Sequence, residues 1–273
     1  MAVFMIVQSF CSGSSGNSTI VRAAGTTILI DCGIGLRILQ KMLHPHESSL
    51  HTIDAVLVTH EHDDHVRGIE AVTRHGLAVH ATRGTAEALG IGGSSGSGPI
   101  TYGDEFAVGG VTITTLQTSH DAAEPCGFSL FDGTSRFTLL TDLGVTDDRC
   151  LEIVAESDLI VIEANHDIHM LKSGPYPAHL KRRVLSERGH LSNADCGQFL
   201  SHALDGSRKT RSIWLAHLSA TNNRPELAER TVSEALIRLP VRHSIIALPR
   251  REPGPVWCPG SNPVATEQLS LFT

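Results

Sequence analysis

The sequence predicts an α/β (α+β) fold: two β-rich halves stacked face to face with helices coating both outer faces, a four-layer αββα sandwich. Three observations predict it. Short apolar runs rich in β-branched residues recur in two groups, between Phe4 and Thr59 and between Glu105 and Leu248. Segments with helical spacing, several opened by Ser, Asp or Asn, lie between those runs. At 273 residues the chain is long enough to bury such a core as one domain.

The first group reads as a meander of strands at Phe4 to Phe10, Thr19 to Arg22 and Thr26 to Asp31, with a Gly/Ser turn after the first. Leu36, Ile38, Leu39 and Leu43 then have helical spacing. A strand at Ala55 to Thr59 leads into a polar loop, and Val66, Ile69, Glu70 and Val72 continue as a helix that starts inside that loop. Residues Gly90 to Pro99, nearly all Gly and Ser, are expected as a mobile loop, either a lid or a plain surface insertion. Strands resume at Glu105 to Val108, Val111 to Leu116, Gly127 to Phe131, Phe137 to Leu140, Leu159 to Glu163, Ser212 to Leu215 and His243 to Leu248. Helices are expected at Asp147 to Glu156, Pro177 to Ser186, Asn193 to Ala203 and Pro225 to Arg238. From Arg250 onward prolines and glycines dominate, so the expected organisation is a folded domain over 1–250 and a flexible tail over 251–273.

A net charge of −7 and a pI near 6.1 argue against a surface that is basic all over. A local patch stays open, because Lys172, Lys181, Arg182, Arg183 and Arg188 crowd one stretch that either meets phosphates or forms a solvated helix face. The six cysteines show neither paired spacing nor a disulfide framework and read as reduced. No signal peptide and no run of membrane-spanning length is present, so the expected location is cytoplasmic, without a membrane partner.

The chemistry concentrates in Thr59-His60-Glu61-His62-Asp63-Asp64-His65. Imidazole and carboxylate suit zinc or manganese, and a loop leaving a strand can fan His60, His62, Asp64 and His65 around adjacent ions. Two ions about 4 Å apart need more ligands than one turn supplies. His and Asp at other strand ends are the natural candidates: His120, Asp142 and His217, with Asp31 ending the third strand.

The ordered set Asp31, His60-x-His62-x-Asp64-His65, His120, Asp142 and His217 resembles the metallo-β-lactamase superfamily over residues 4 to 249. More narrowly, Ser12-Gly13-Ser14-Ser15-Gly16-Asn17-Ser18, Ser119-His120-Asp121-Ala122, Thr141-Asp142-Leu143-Gly144, Asn165-His166-Asp167, Gly189-His190-Leu191-Ser192-Asn193 and His217-Leu218-Ser219-x-x-Asn222-Asn223 resemble the YycJ/WalJ-like branch, associated with 5′-to-3′ exonuclease activity on DNA. The resemblance implies that His60, His62 and His120 hold one divalent ion (Zn2+ or Mn2+) and Asp64, His65 and His217 a second, with Asp142 bridging and Asp31 orienting. Asp142 stands where many true lactamases have cysteine. Only 75 residues separate Asp142 from His217, too few for the inserted domain of the β-CASP nucleases, and no arm like that of ribonuclease Z stands out.

Two such ions would activate water and neutralise charge on a phosphoryl oxygen, which fits phosphodiester hydrolysis. By the resemblance, Asp64 would help orient that water or take its proton. His190 is a candidate acid or phosphate contact, or else an incidental residue at a helix cap. Asn165, His166 and Asp167, together with Asn222, are candidate substrate contacts; capping is the rival role for Asn165 and Asp167. The Ser12 to Ser18 segment lacks the Gly-Lys-Ser/Thr of a P-loop and reads as a tight turn packing Asn17 near the metals. In the tail, Gln268-Leu269-Ser270-Leu271-Phe272 resembles the pentapeptide by which bacterial replication and repair proteins dock onto the DNA polymerase III sliding clamp, the alternative being a tail folded back on its own domain. The expected function is a metal-dependent 5′-to-3′ DNA exonuclease linked through the clamp to mismatch repair or replication. The alternatives are a thioesterase, lactamase or small cyclic phosphodiesterase on the same fold, or a non-catalytic clamp adaptor.

Overall fold

The structure, a computed structural model, describes residues 4–46, 48–91 and 99–260. In chain order the elements are β1 (Ile6–Cys11), β2 (Ser18–Ala23), β3 (Thr26–Ile30), α1 (Leu36–Leu43), β4 (Ala55–Leu57), α2 (Asp63–Val66), α3 (Ile69–Arg74), β5 (Val79–His80) and α4 (Arg83–Leu89). Then follow β6 (Glu105–Val108), β7 (Val111–Gln117), β8 (Cys126–Phe131), β9 (Arg136–Leu140), α5 (Asp148–Glu156), β10 (Leu159–Glu163), α6 (Ile168–Ser173), α7 (Ala178–Val184), α8 (Asn193–Ala203), β11 (Ser212–Ala216), α9 (Pro225–Ala235), β12 (Ser244–Ala247) and β13 (Val256–Trp257).

Each sheet is half meander and half crossover. One runs β13-β1-β2-β3-β4-β5 and the other β12-β11-β10-β9-β8-β7-β6. Tight turns join the antiparallel strands; at Ala24-Gly25 and Gly133 the backbone takes positive φ, which Gly25 and Gly133 tolerate without a Cβ. Parallel pairing of β3 with β4, β4 with β5, and β9 through β12 needs crossovers, and α1, α2 with α3, α5, α6 to α8, and α9 supply them. Such strands are covered on both faces, which is why β10 and β11 are buried throughout.

Three apolar clusters separate the four layers. Met5, Ile28, Phe128, Phe137, Trp214 and Trp257 fill the space between the sheets. Leu39, Leu43, Ile69 and Val72 seat α1 and α3 on the first sheet. Cys150, Ile153, Leu200 and Val232 seat α5, α8 and α9 on the second. The expected αββα sandwich is the observed one.

Several boundaries differ from expectation. The helix expected to run unbroken from the polar loop through Val72 is two helices, split where the Gly68 amide donates to Cys32 O at 2.7 Å. Strand β5 and helices α4 and α6 are additions; β5 is two residues long and α6 six, too short for periodicity to reveal. The expectation that order fails from Arg250 is corrected for residues 251–260. Val256 and Trp257 pair with Gln8 and Val7, and Trp257 enters the inter-sheet core, where its Nε1 donates to Ser212 Oγ at 3.1 Å. Residues 92–98 of the Gly/Ser loop and the pentapeptide 268–272 lie outside the described residues. No helix among the described residues is long and apolar enough to cross a membrane.

Candidate metal centre

All expected ligands gather at one edge, for a topological reason. Strands β3 and β4 are parallel, as are β9, β10 and β11, and β7 shares the direction of β9 because both run antiparallel to β8. Within each sheet the C-terminal ends therefore share one edge, the contacts of His65 with Asp142 and of Asp64 with His217 bring the two edges together, and Asp31, His60, His120, Asp142, Glu163 and His217 lie at or just past those ends. Asp31, Asp142 and His217 adopt left-handed backbone, φ 57°, 56° and 55°, a strain of about 1–3 kcal/mol each that the surrounding structure must hold.

The motif turn is locked by backbone. Asn17 N donates to Asp64 O at 2.7 Å, Cys32 N to His65 O at 2.8 Å and Gly33 N to Asn17 O at 2.8 Å. Three segments cross so closely that a Cβ on Gly33 would stand 1.7 Å from Asp64 O. Asn17 Nδ2 sits 2.9 Å from His65 Nε2 and 3.2 Å from Asp64 Oδ2, while its Oδ1 accepts from Gly13 N.

Donor atoms of His60, His62 and His120 lie within 4.8 Å of one another, as do those of Asp64, His65 and His217, and Asp142 joins groups with His60 and His65 and with His217. His60 Nε2 faces His62 Nδ1 at 3.1 Å. Asp142 Oδ2 is 3.1 Å from His65 Nε2 but lacks hydrogen-bond alignment and has no partner, and His217 Nε2, 3.4 Å from Asp64 Oδ2, is likewise orphaned. Buried orphans of this kind normally have a further partner. An imidazole and carboxylate donor set converging on shared points fits divalent metal ions.

The supporting partners are specific. Asp31 Oδ2 lies 2.7 Å from His65 Nδ1, and its carboxylate also accepts from Thr59 N and Oγ1. Glu163, which the sequence reading did not single out, does the same on the opposite side. Its Oε1 stands 2.8 Å from His217 Nδ1 and 2.9 Å from His190 Nδ1, and its Oε2 accepts from Leu143 N and Leu191 N, each at 3.1 Å. A strand-terminal Glu after an apolar run was the available signal. Such partners fix which ring nitrogen remains free for a metal.

Burial opposes the charge on His65, but Asp31 and Asp142 outweigh it and raise its pKa to about 10. His217 is likewise raised, against burial, by Asp142, Asp64 and Glu163. Burial and the neighbouring His65 push His60 well below its ordinary value. Glu163 is buried yet held down to about 2 by His190 and His217. Two cationic histidines facing carboxylates mark where metal ions would take the place of protons.

The other expected residues part company. His190 belongs to the cluster, its ring centroid 5.0 Å from that of His120 and 5.3 Å from that of His217. Asn165 Nδ2 donates to His217 O at 2.8 Å, and the Asp167 carboxylate caps α6, the rival role read for it, by accepting from Met170 N at 2.8 Å. His166 is buried with both ring nitrogens unpaired, and Asn222 Oδ1 is also unpaired. The clamp-binding residues Gln268 to Phe272 lie outside the described residues.

Fold and donor set together define a metal-binding αββα domain. Residues 26–209 match the family model described as the beta-lactamase superfamily domain. The exodeoxyribonuclease WalJ of Streptococcus pneumoniae serotype 2 is 36% identical over 232 residues, 82% of this chain and 86% of that protein. The exodeoxyribonuclease YycJ of Bacillus anthracis is 34% identical over 230 residues, covering 82% and 86%. The fold of YhfI from Bacillus subtilis superposes with a TM-score of 0.71 at 18% identity, over 93% of this chain and 99% of that one. The chain belongs to the metallo-β-lactamase superfamily, in the group of the WalJ and YycJ exodeoxyribonucleases.

Proposed function

We propose that this protein is a metal-dependent 5′-to-3′ exonuclease on DNA, holding two divalent ions, Zn2+ or Mn2+. His60, His62 and His120 would hold one ion and Asp64, His65 and His217 the other, with Asp142 between them. The observation that carries the reading is the meeting of these seven side chains at one rim, with buried Asp142 and His217 atoms left unpaired. The names of the WalJ and YycJ relatives support DNA as substrate. Bound there, such ions supply an activated water and neutralise charge on a phosphoryl oxygen.

The protein's own residues do the rest. Glu163 occupies His190 Nδ1 at 2.9 Å, which leaves Nε2 to give a proton to the leaving oxygen or a hydrogen bond to a phosphate. Asp64 Oδ2, steadied by Asn17 Nδ2 at 3.2 Å, is placed to orient the attacking water or take its proton. His166, with both ring nitrogens unpaired, is assigned to donate to the strand's terminal phosphate, and Asn222, whose carbonyl accepts from Asp167 N at 2.9 Å, lies beside it as a further substrate contact. Gln268 to Phe272 would tether the enzyme to the sliding clamp in the cytoplasm, linking it to mismatch repair or replication, and tethering raises local DNA concentration without a basic surface.

The test is an oligonucleotide labelled separately at each end, single- and double-stranded, with Zn2+ or Mn2+, beside thioester, lactam and cyclic phosphodiester substrates. Expected are nucleotides released from the 5′ end by wild type and none by Asp142→Ala. Turnover of a thioester or lactam with DNA left intact would overturn the reading. Loss of clamp co-elution on replacing residues 268–272 by alanine, with DNA hydrolysis retained, is expected for the tether.

A further inference from the structure

We infer that residues 168–188 form a cationic, aromatic-bearing jaw that grips the DNA strand whose cleaved bond lies at the metal centre. This rests on the nuclease reading above and adds where the polymer binds. The segment holds Lys172, Lys181, Arg182, Arg183 and Arg188 against a single acid, Glu187, in a chain whose net charge is −7. No Asp or Glu occurs from Ile168 to Ser186. A concentration of one sign in an oppositely charged protein attracts a polyanion locally where the whole surface does not.

Both ends of the segment are fastened to the site. It leaves from His166 and Asp167 and returns at Gly189 and His190, whose neighbours pair back through the His166–Ser192 bridge. Gly189 O stands 3.0 Å from His120 Nδ1, and Arg188 Nε donates to His120 O at 3.2 Å. Arg183 Nε is 2.5 Å from Asp121 Oδ2, beside His120. Leu171 and Val184 bury the inner faces of α6 and α7, leaving Lys172 and Arg182 exposed and without an ion pair among the described residues. Lys181 is held by donating to Lys172 O at 2.7 Å.

Between the two helices runs Gly174-Pro175-Tyr176-Pro177. Two prolines fix the backbone on either side of Tyr176, so the stem that carries its ring is ordered in advance. Gly174 lies so close to Asn222, five residues beyond His217, that a Cβ would stand 2.8 Å from Asn222 Oδ1. This sets the turn against the loop that leaves His217. A half-exposed ring there, flanked by cations, is the arrangement on which bases of a single strand stack while phosphates meet the charges.

The test compares wild type with Lys172→Glu/Arg182→Glu, Tyr176→Ala, Tyr176→Phe and a charge-matched control, Arg208→Glu/Arg230→Glu, placed elsewhere on the surface. Single-stranded DNA hydrolysis is followed across ionic strengths, alongside thymidine 5′-(p-nitrophenyl phosphate), too small to reach the jaw. For Lys172→Glu/Arg182→Glu, at least a tenfold rise in KM for DNA is expected, with the logarithmic salt slope smaller by about 1.4 for two lost phosphate contacts. Tyr176→Ala should raise KM at least fivefold and Tyr176→Phe hardly at all. Small-ester turnover should be unchanged in every variant. If wild type digests DNA and the jaw variants match the control in KM and salt slope, the jaw is refuted while the nuclease reading stands; if wild type cleaves the small ester but no DNA, both fall.

Discussion

Glu163→Gln is the most informative single change, because its consequence follows from four specific contacts. One carboxylate oxygen faces His190 Nδ1 and His217 Nδ1, and the other accepts two backbone amides. A glutamine of the same shape keeps one acceptor oxygen and puts an NH2 where the other stood. Either orientation therefore points an amide donor at two existing donors in a fully buried place. Each buried donor left unsatisfied costs about 1–3 kcal/mol, so the metal-free protein should lose about 2–6 kcal/mol. His217 loses the partner that fixes its ring, and loss of such support lowers metal affinity about 10- to 100-fold, about 1.4–2.8 kcal/mol. The assay is Zn2+ uptake in competition with a chromophoric chelator near neutral pH, with urea unfolding of both proteins to separate affinity from stability. A folded Glu163→Gln protein binding Zn2+ within about twofold of wild type would refute the orienting role.

Two further outcomes follow from the same physics. In the metal-free protein His65 is raised to about 10 from an ordinary 6.5, so its stabilisation is complete below about 6.5 and fades as pH rises through about 10. The metal-free Tm should fall over that window while metal affinity climbs, since binding displaces the proton; a flat metal-free Tm across it contradicts the Asp31–His65 account. Trp257→Ala should destabilise the fold by about 3–5 kcal/mol in chemical denaturation, because the indole is buried between the sheets and bonded to Ser212. A chain stopped after Arg250 should show a loss at least as large, and wild-type stability in either would return that segment to a tail.

What could be read from sequence was whatever local order encodes. The HxHxDH spacing puts His60, His62, Asp64 and His65 on one turn in any fold that ends a strand at Val58, and alternating apolar runs fix two sheets with helices outside. His120, Asp142 and His217 were legible as strand-end polar residues because a sheet edge is where such side chains lose their apolar neighbours. Their convergence was not. It depends on β3 and β4 in one sheet, and β7, β9, β10 and β11 in the other, ending at edges that the packing of the two sheets brings together. Glu163 reads in sequence as the last polar residue of a buried strand, and only the approach of two imidazoles from loops 27 and 54 residues away makes it a support. For Asn165 and Asp167 the sequence left contact and capping open, and only the fold shows that Asn165 Nδ2 holds the His217 carbonyl and that Asp167 caps α6. Strand β13 has two residues and a proline-rich approach, so no periodicity marks it; long-range pairing with β1 and burial of one indole create it. Ligand identity is thus a property of the chain's local chemistry, whereas the free nitrogen on each ring is chosen by contacts between residues far apart in the chain, which packing alone brings together.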